Sequence, residues 1–377
     1  MASALESAFT WKLYQNIAKS PGNILLSPHS VCSALMLACL GARGDTAAQI
    51  AATLGLPGTD PAAWHRQFSD MCEQLKGTES DSGVLIAIAN KLFARLDIKV
   101  INNYSSEATK LYSSGTEPMD FASKPDESRI AINQWVEEQT SEKIKDLLQA
   151  GTINGATAMV LANAIYFKGK WDKPFDVSET KSMDFYTTAT NKVKADMMRK
   201  KFDLRYISDD SLGLSAVEIP YQNQTMSMVI IRPNDVDGLS FIEGTLQSDA
   251  LHDLISRLLR EMKMKVDLGL PKFTFTKASD LSRVLPQMGI TDLFDPEKVN
   301  LSAMTSSGNH AISNVIHKSF IEVNEEGTEA AAATAMISRM MMMPTGEATF
   351  ICDRPFLFFI VKPETNSVLF VGRFSSP

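Results

Sequence analysis

The stretch from Glu325 to Pro344 reads Glu-Glu-Gly-Thr-Glu-Ala-Ala-Ala-Ala-Thr-Ala-Met-Ile-Ser-Arg-Met-Met-Met-Met-Pro. Between Gly327 and Ala335 no side chain is bulkier than that of Glu329, whereas the residues just before the proline are rich in methionine and include one arginine. Alanine has the highest helix propensity, so the first half could form a short exposed helix. A strand is the alternative.

The polarity of this stretch alternates in a way that favours a strand. Successive side chains of a strand point to opposite faces of a sheet. Between Thr328 and Arg339 both charged side chains, Glu329 and Arg339, belong to the odd-numbered face. A strand covered on one side needs one small, uncharged face, and the even-numbered face consists of Thr328, Ala330, Ala332, Thr334, Met336 and Ser338.

The composition is that of a globular protein. The chain has 377 residues, 44% of them hydrophobic, and a formal net charge of -7. No linker-like segment interrupts it, which predicts a single domain over residues 1–377. No apolar run reaches the roughly 18 residues of a membrane-spanning helix, so no membrane protein is expected. The acidic balance argues against nucleic acid or an anionic membrane as the main partner.

The cysteines and histidines show no metal-binding pattern. The four cysteines contain no C-x-x-C pair, and the five histidines are scattered. We therefore expect no metal site. Cys32 and Cys39 lie in an apolar helical segment and are predicted to be buried free thiols.

The beginning of the chain predicts a helix rather than a basic stretch with an apolar core and a cleavage site, so no signal peptide is expected in it. Three N-x-S/T sequons, at Asn103, Asn223 and Asn300, would permit glycosylation of a secreted protein.

Helical and strand patterns are mixed along the chain, which predicts an α+β fold. Met159–Phe167 is apolar except at Asn163, which predicts a strand buried on both faces. A buried amide must find hydrogen-bond partners, because leaving it unsatisfied costs about 1 to 3 kcal/mol.

Thr46 and Gln49 have the spacing of a capping box that would begin a helix ending at Gly55. Further strands are predicted at 84–92, 217–219, 225–231, 266–275 with a break at Pro271, 356–361 and 368–371. Further helices are predicted at the N-terminus, at 31–39, 60–80, 249–262 and 278–288, and from 128.

No catalytic signature is present. The G-x-S-x-G, Walker, G-x-G-x-x-G and H-E-x-x-H motifs are all missing from the sequence, so an enzyme is not expected. Basic side chains are densest at Arg199, Lys200 and Lys201. In an acidic protein such a group is usually a solvated strand or loop. The alternative is a site for a polyanion such as a glycosaminoglycan, whose affinity would fall steeply with added salt.

Five further motifs are specific enough to indicate a family: Asn23-Ile-Leu-Leu-Ser-Pro-His-Ser30, Gly44-Asp-Thr-Ala-Ala-Gln49, Asn163-Ala-Ile-Tyr-Phe-Lys-Gly-Lys-Trp171, Val323-Asn-Glu-Glu-Gly-Thr-Glu-Ala-Ala-Ala-Ala333 and Asp353-Arg-Pro-Phe-Leu-Phe-Phe359. Through them the chain resembles the serpins, a family of serine protease inhibitors, over essentially its full length. The segment from Gly41 to Leu56 is similar to inhibitors secreted by blood-feeding arthropods.

The resemblance implies a large antiparallel sheet, two further sheets, about nine helices and an exposed reactive-centre loop at about 325–347. In this family a protease attacks the loop and forms an acyl-enzyme. The arm of the loop then inserts into the large sheet as a new strand, which traps the protease. The native chain would therefore be a metastable suicide substrate. Insertion requires small side chains, because each overpacked position costs about 1 to 3 kcal/mol. The implied hinge consists of Glu325, Gly327, Thr328, Ala330, Ala331, Ala332 and Ala333.

The resemblance also implies where the protease cuts. The scissile bond would join Met341 to Met342, preceded by Met340 and Arg339. A methionine suits the apolar pockets of elastase-like, cathepsin G-like and chymotrypsin-like proteases. A trypsin-like protease could instead cut after Arg339, which would shorten the arm by two residues. A non-inhibitory carrier, chaperone or storage protein is the other alternative.

Two structural sites carry over from the family. Ser27, Ser30, Asn163 and His317 match a polar cluster under the middle of the large sheet. Lys272 and Glu325 match an ion pair at the point where the loop enters the sheet, worth about 1 kcal/mol if partly exposed, and Trp171 matches a packing residue beside it. The implied partners are serine proteases in a covalent complex with a monomeric inhibitor. The expected location is extracellular, with the cytoplasm as the alternative.

Overall fold

The computed structural model describes residues 2–56, 58, 60–76, 83–328 and 346–377. Nine α-helices occur in these ranges: α1 (Ala2–Ile17), α2 (Pro28–Gly41), α3 (Gly44–Leu54), α4 (Pro61–Lys76), α5 (Asn102–Tyr112), α6 (Pro125–Gln139), α7 (Leu239–Thr245), α8 (Ser248–Leu258) and α9 (Leu281–Met288). The same ranges contain fifteen strands: β1 (Ile24–Leu26), β2 (Val84–Arg95), β3 (Thr116–Met119), β4 (Met159–Lys170), β5 (Lys181–Thr188), β6 (Asn191–Asp209), β7 (Leu214–Pro220), β8 (Ser227–Pro233), β9 (Met264–Pro271), β10 (Phe273–Asp280), β11 (Ile312–Val323), β12 (Gly327–Thr328), β13 (Glu347–Ile351), β14 (Phe356–Lys362) and β15 (Ser367–Phe374). The predicted α+β class is confirmed.

The central sheet has the strand order β10-β11-β4-β2-β3, and the short β12 also pairs with β4. Its strands are not all antiparallel, contrary to expectation. β4 is antiparallel to β2 but parallel to β11, and β3 is parallel to β2. Parallel neighbours need a long crossover connection, and strands β5 to β10 lie between β4 and β11 in the chain. The middle of the central sheet is therefore a parallel pair of strands.

The remaining strands form one hydrogen-bonded network in the order β1-β15-β14-β8-β7-β6-β9-β13, with β5 also paired to β6. The long strand β6 pairs with β9 over Met197–Leu204 and with β7 over Arg205–Asp209. Its partner changes along its length, so the two smaller sheets that the resemblance implies are joined by a shared strand. This explains why three sheets appear as two networks.

The central strand β4 is covered on both sides, as predicted. Every residue from Met159 to Phe167 is buried. Leu161 belongs to the core that α2 shares, whereas Ala162 and Ala164 pack with Ile132 under α6. Odd-numbered β4 residues thus face away from α6: Leu161 faces the core that α2 shares, and Ile165 and Phe167 face a second core that includes Phe370 of β15. Even-numbered residues face α6, as the two-residue period of a strand requires.

The prediction of a capping box formed by Thr46 and Gln49 at the start of α3 is wrong. The helix begins two residues earlier, at Gly44. The Thr46 hydroxyl accepts a hydrogen bond from the Asn300 N–H at 3.0 Å, and Gln49 Oε1 accepts one from the Asp292 N–H at 2.9 Å. Tertiary partners take both side chains, so neither is left for a cap. The helix does end at Gly55, which adopts a left-handed conformation.

Helix α6 begins at Pro125 rather than at Ser128, because proline is well suited to a first helical turn, where its missing N–H is not needed. The predicted burial of Cys32 and Cys39 is confirmed, and all four cysteines are free thiols. Within the described ranges, no helix is long and apolar enough to cross a membrane.

Candidate functional site

A tight turn after β11 brings the chain back towards the central sheet. The Asn324 N–H donates to Gly327 O at 2.8 Å, and the Gly327 N–H donates to Asn324 O at 3.2 Å. The reversed chain then forms β12, which pairs antiparallel with the last two residues of β4. On its other edge β4 is paired with β2 as far as Gly169. β12 therefore lies on the β11 side of β4, at the end where the β4–β11 pairing has stopped. We call this place the entrance.

Gly327 is required by the close approach of two backbones at the entrance. Its φ of 147° is rarely adopted by residues with a side chain, and a Cβ here would overlap Gly169 O and lie 2.6 Å from Lys170 Cα. Only glycine allows β12 to reach β4 at this point.

Trp171 stabilises the turn through two hydrogen bonds. Its indole N–H donates to Asn324 O at 3.0 Å, and its backbone N–H donates to Glu326 O at 2.9 Å. The indole also stacks on Tyr221, with ring centroids 4.7 Å apart. One tryptophan thus links the end of β4, the turn and the residue that directly follows β7.

The ion pair implied by the resemblance is present. Lys272 Nζ lies 3.0 Å from Glu325 Oε2, and the Thr180 hydroxyl donates to Glu325 Oε1 at 2.8 Å. Glu325 is only 6% exposed. Burial opposes ionisation of this carboxyl, but the hydrogen bonds from Thr180 and Lys272 outweigh it, so the pKa of Glu325 lies below its ordinary value. Because this carboxylate is buried, removing one of its hydrogen-bond donors would destabilise the protein more than breaking an exposed ion pair would.

The four residues of the predicted polar cluster do meet, beneath the parallel pair β4–β11. His317 is directly opposite Asn163 in the strand register, and its Nδ1 contacts Asn163 Oδ1. The Ser27 N–H donates to His317 Nε2 at 3.1 Å. A backbone N–H can only donate, so Nε2 must be unprotonated and the ring proton must lie on Nδ1. The imidazole is therefore neutral, and burial lowers the pKa of His317 to about 3.

Asn163 connects this histidine to α2 and β2. Its amide nitrogen donates to Ser30 O at 3.0 Å and to Ser30 Oγ at 2.7 Å, and it also contacts Asn90 Oδ1. Ser27 is the N-cap of α2 and donates its hydroxyl to Leu369 O at 2.6 Å. The lone amide predicted in an apolar strand is thus fully hydrogen-bonded.

Two members of the cluster were not anticipated. Ser319 contacts His317 Nε2 at 2.7 Å, and Asn90 is opposite Asn163 in the β2–β4 register. Ser319 is two residues after His317 in a strand, so the strand period alone places both on one face. Asn90 could be found only from the pairing of β2 with β4.

Several predicted residues fall outside the described part of the chain. The backbone of Thr328 belongs to β12. Ala330, Ala331, Ala332 and Ala333 of the hinge, and Arg339, Met340, Met341 and Met342 of the bait, lie outside the described residues.

The basic residues on β6 are largely engaged by the protein itself. Arg199 forms two hydrogen bonds to Asp267, at 3.0 and 2.6 Å. Lys201 forms an ion pair with Glu347, and Lys200 Nζ donates to Pro174 O at 2.6 Å. Glycosaminoglycan binding here stays a prediction, and these contacts would compete with it. Of the three sequons, those at Asn103 and Asn223 are exposed and that at Asn300 is half-buried.

A family model described as "Serpin (serine protease inhibitor)" matches residues 4–377. This chain belongs to the serpin family. It is 38% identical to Serpin B3 of Homo sapiens, covering 100% of this chain and 99% of that protein. It is 40% identical to Iris of the tick Ixodes ricinus, covering 97% and 96%, which supports the arthropod resemblance. It is 37% identical to leukocyte elastase inhibitor A of Mus musculus, covering 100% and 99%.

Among solved structures, uncleaved ovalbumin matches this serpin with a TM-score of 0.89 and 30% identity, covering 100% of both chains. The similarity extends over the whole chain, so the central sheet and the entrance belong to a shared serpin architecture.

The neutral state of His317 makes a testable contribution to stability. Because its pKa in the folded protein is about 3 and that of an unfolded histidine is about 6.5, the unfolded chain binds the extra proton between these values. The contribution is complete above about pH 6.5 and decreases by roughly 1.4 kcal/mol per pH unit below it.

We therefore expect the free energy of unfolding of wild type minus that of His317→Gln to fall by roughly 1.4 kcal/mol between pH 5.5 and 4.5. Urea denaturation of both proteins at several pH values measures this difference. His65, whose pKa is also lowered by burial, is present in both proteins and cancels. Parallel pH profiles would contradict the neutral, buried assignment.

Replacement Gly327→Ala should detach β12 from β4, because the added methyl overlaps the β4 backbone. Loss of the turn would expose the Trp171 amide, and its hydrogen exchange should accelerate about tenfold or more, given that such strain costs of order 1 to 3 kcal/mol. Gly346→Ala is the matched control, since a Cβ there would meet only Met264 Cε at 3.7 Å. Equal protection of Trp171 in both variants would disprove the steric argument.

Proposed function

We propose that this serpin is a suicide-substrate inhibitor of serine proteases whose loop arm inserts between β4 and β11. The observation that carries the proposal is the parallel pairing of these two strands with β12 already entering beside β4. A strand inserted there would run antiparallel to both neighbours. Since β2–β4 and β10–β11 are antiparallel pairs, the order β2-β4-arm-β11-β10 would be antiparallel throughout, which is the more stable arrangement per residue.

The β12 register predicts how the arm would lie. Gly327 pairs with Lys170 and Thr328 with Gly169, so continuing the ladder puts Ala332 opposite Ile165 and Thr334 opposite Asn163. Residues directly opposite share a face of the sheet. The even-numbered arm residues would therefore share the face of the odd-numbered β4 residues, which points away from α6, with Ala330 and Ala332 beside the second core that contains Phe167 and Ile165.

This face is the small, uncharged one that the sequence alternation identifies. Ile165 and Phe167 are 1% and 0% exposed, so the space beside them admits small side chains only. The arm satisfies that condition at Ala330, Ala332 and Thr334. Glu329 would lie opposite Lys168, so its negative charge would face a positive one.

The bait in this proposal is the bond between Met341 and Met342, and the targets are elastase-like, cathepsin G-like or chymotrypsin-like proteases. An unbranched apolar side chain fits their specificity pockets, and the similarity to a leukocyte elastase inhibitor supports this class. Cleavage after Arg339 would leave an arm two residues shorter, which favours release of the protease over trapping. The proposed site of action is extracellular. The exposed sequons at Asn103 and Asn223 support it, whereas four free thiols would also suit the cytoplasmic alternative.

Incubation with neutrophil elastase, cathepsin G or chymotrypsin should yield a covalent complex that survives a denaturing gel. Mass spectrometry of the released C-terminal fragment should identify Met342 as its first residue. A fragment beginning at Met340 with a trypsin-like enzyme would move the bait to Arg339. Cleaved chain without any complex, across all of these proteases, would reject inhibition and favour a carrier, chaperone or storage role.

Replacement Ala332→Arg should convert the inhibitor into a substrate. The arginine would have to be buried beside Ile165 without a partner, which costs several kcal/mol, so cleavage should continue while the covalent complex decreases about tenfold or more. Ala332→Ser is the control, because it keeps the side chain small and should still form the complex. Both substitutions lie nine residues before the proposed bond and leave the bait unchanged. Equal complex yields would show that this face does not enter the sheet.

A further inference from the structure

A cleft that shares no residue with the entrance is lined by α2, α3, α4 and α5. Its volume is about 640 Å³, within the range of roughly 300 to 1,000 Å³ typical of small-molecule sites. Leu40, Ala47 and Leu111 contribute apolar wall, and the buried Trp64 also lines it. None of these side chains has a role in the proposed inhibitory mechanism, so the cleft needs a separate explanation.

A buried histidine presents a hydrogen-bonding group to this cleft. His65 lines it and is only 5% exposed. Its Nδ1 contacts the Tyr112 hydroxyl, and among the described residues Nε2 has no partner. Burial raises the pKa of Tyr112 strongly, so the phenol keeps its proton. Because the phenol has no other acceptor in the described structure, it donates to Nδ1, which leaves the ring proton on Nε2. His65, which lines the cleft, therefore has one ring N–H that is available as a donor.

The charges at the rim favour an anion. Three cations, Arg43, Arg66 and Lys110, and two carboxylates, Asp60 and Glu107, line the cleft. Arg66 lies 3.8 Å from Asp60, so these two largely neutralise each other. Arg43 donates only to the backbone oxygens of Leu40 and Ala42, and Lys110 has no ion pair within the described structure. The remaining charges at the rim are therefore two cations, Arg43 and Lys110, and one carboxylate, Glu107, beside the His65 donor.

We propose that this cleft binds an amphipathic monocarboxylate, with its apolar chain along Leu40, Ala47 and Leu111 and its carboxylate at Arg43, Lys110 and the His65 Nε2–H. Each part of the ligand then meets a matching surface: the alkyl chain leaves water, and the carboxylate accepts charge-assisted hydrogen bonds. A neutral alcohol of the same length would gain the apolar contact but not the ionic one.

Titration calorimetry with decanoate and decan-1-ol tests the site. Decanoate should bind with one site per chain and decan-1-ol at least about tenfold more weakly, since a neutral hydroxyl cannot accept the charge-assisted hydrogen bonds that the carboxylate accepts. Arg43→Gln and Lys110→Gln should each weaken decanoate by about tenfold by the same reasoning. Arg283→Gln, which removes a fully separate exposed cation on α9, is the matched control and should bind as wild type does.

Two further measurements locate the ligand. Ala62→Trp, at an exposed position of the first turn of α4 that lines the cleft, should fill the space without changing any charge and abolish binding. In NMR spectra decanoate should shift the His65 ring signals, with those of His252 and His310 as internal references. Equal affinity for decan-1-ol, unchanged binding by Ala62→Trp, or equal affinities of Arg43→Gln and Arg283→Gln would each overturn the proposal.

Discussion

The parallel contact between β4 and β11 is the interaction on which the rest of this serpin depends. Backbone hydrogen bonds join the two strands along most of their length, and beneath them the side chains of Asn163 and His317 make a second connection. The two strands are distant in sequence, so only the packing of the central sheet holds them side by side. A strand entering between them would separate their backbones by about two strand spacings, or roughly 10 Å, and the Asn163–His317 contact would have to break.

This arrangement connects the polar cluster to the proposed mechanism. A buried neutral histidine and a buried amide are costly unless every group is paired, and here α2, β2, β4 and β11 all contribute partners. The cluster is therefore stable only while the strands stay in register. In the proposed inserted state, Thr334 would occupy the position between Asn163 and His317, where its hydroxyl can bond to either side chain. A small polar residue at that position in the arm would replace part of the hydrogen bonding that the opening of the sheet would remove.

The entrance shows how a few local features prepare the sheet for a new strand. The Asn324–Gly327 turn reverses the chain, Trp171 supports it, and the buried Glu325 carboxylate is held by Lys272 and Thr180. Because residue 327 is a glycine and has no Cβ, its backbone can approach Lys170 closely. These contacts bring β12 next to β4 in the direction that an arm strand would need, so its first two residues already pair as such a strand would.

The sequence by itself determined the buried strand around Asn163, where the local signal is strong, and it predicted the small uncharged face of the loop arm. Motif resemblance added the family and the residues that meet in the polar cluster and at the entrance. Local signals failed where tertiary partners competed for a side chain, as Asn300 and Asp292 do for Thr46 and Gln49. The direction of β11 relative to β4, the place of Asn90 in the cluster and the cleft beside His65 were decided only by the tertiary structure. They depend on which distant segments pair, and that information is not contained in any local periodicity.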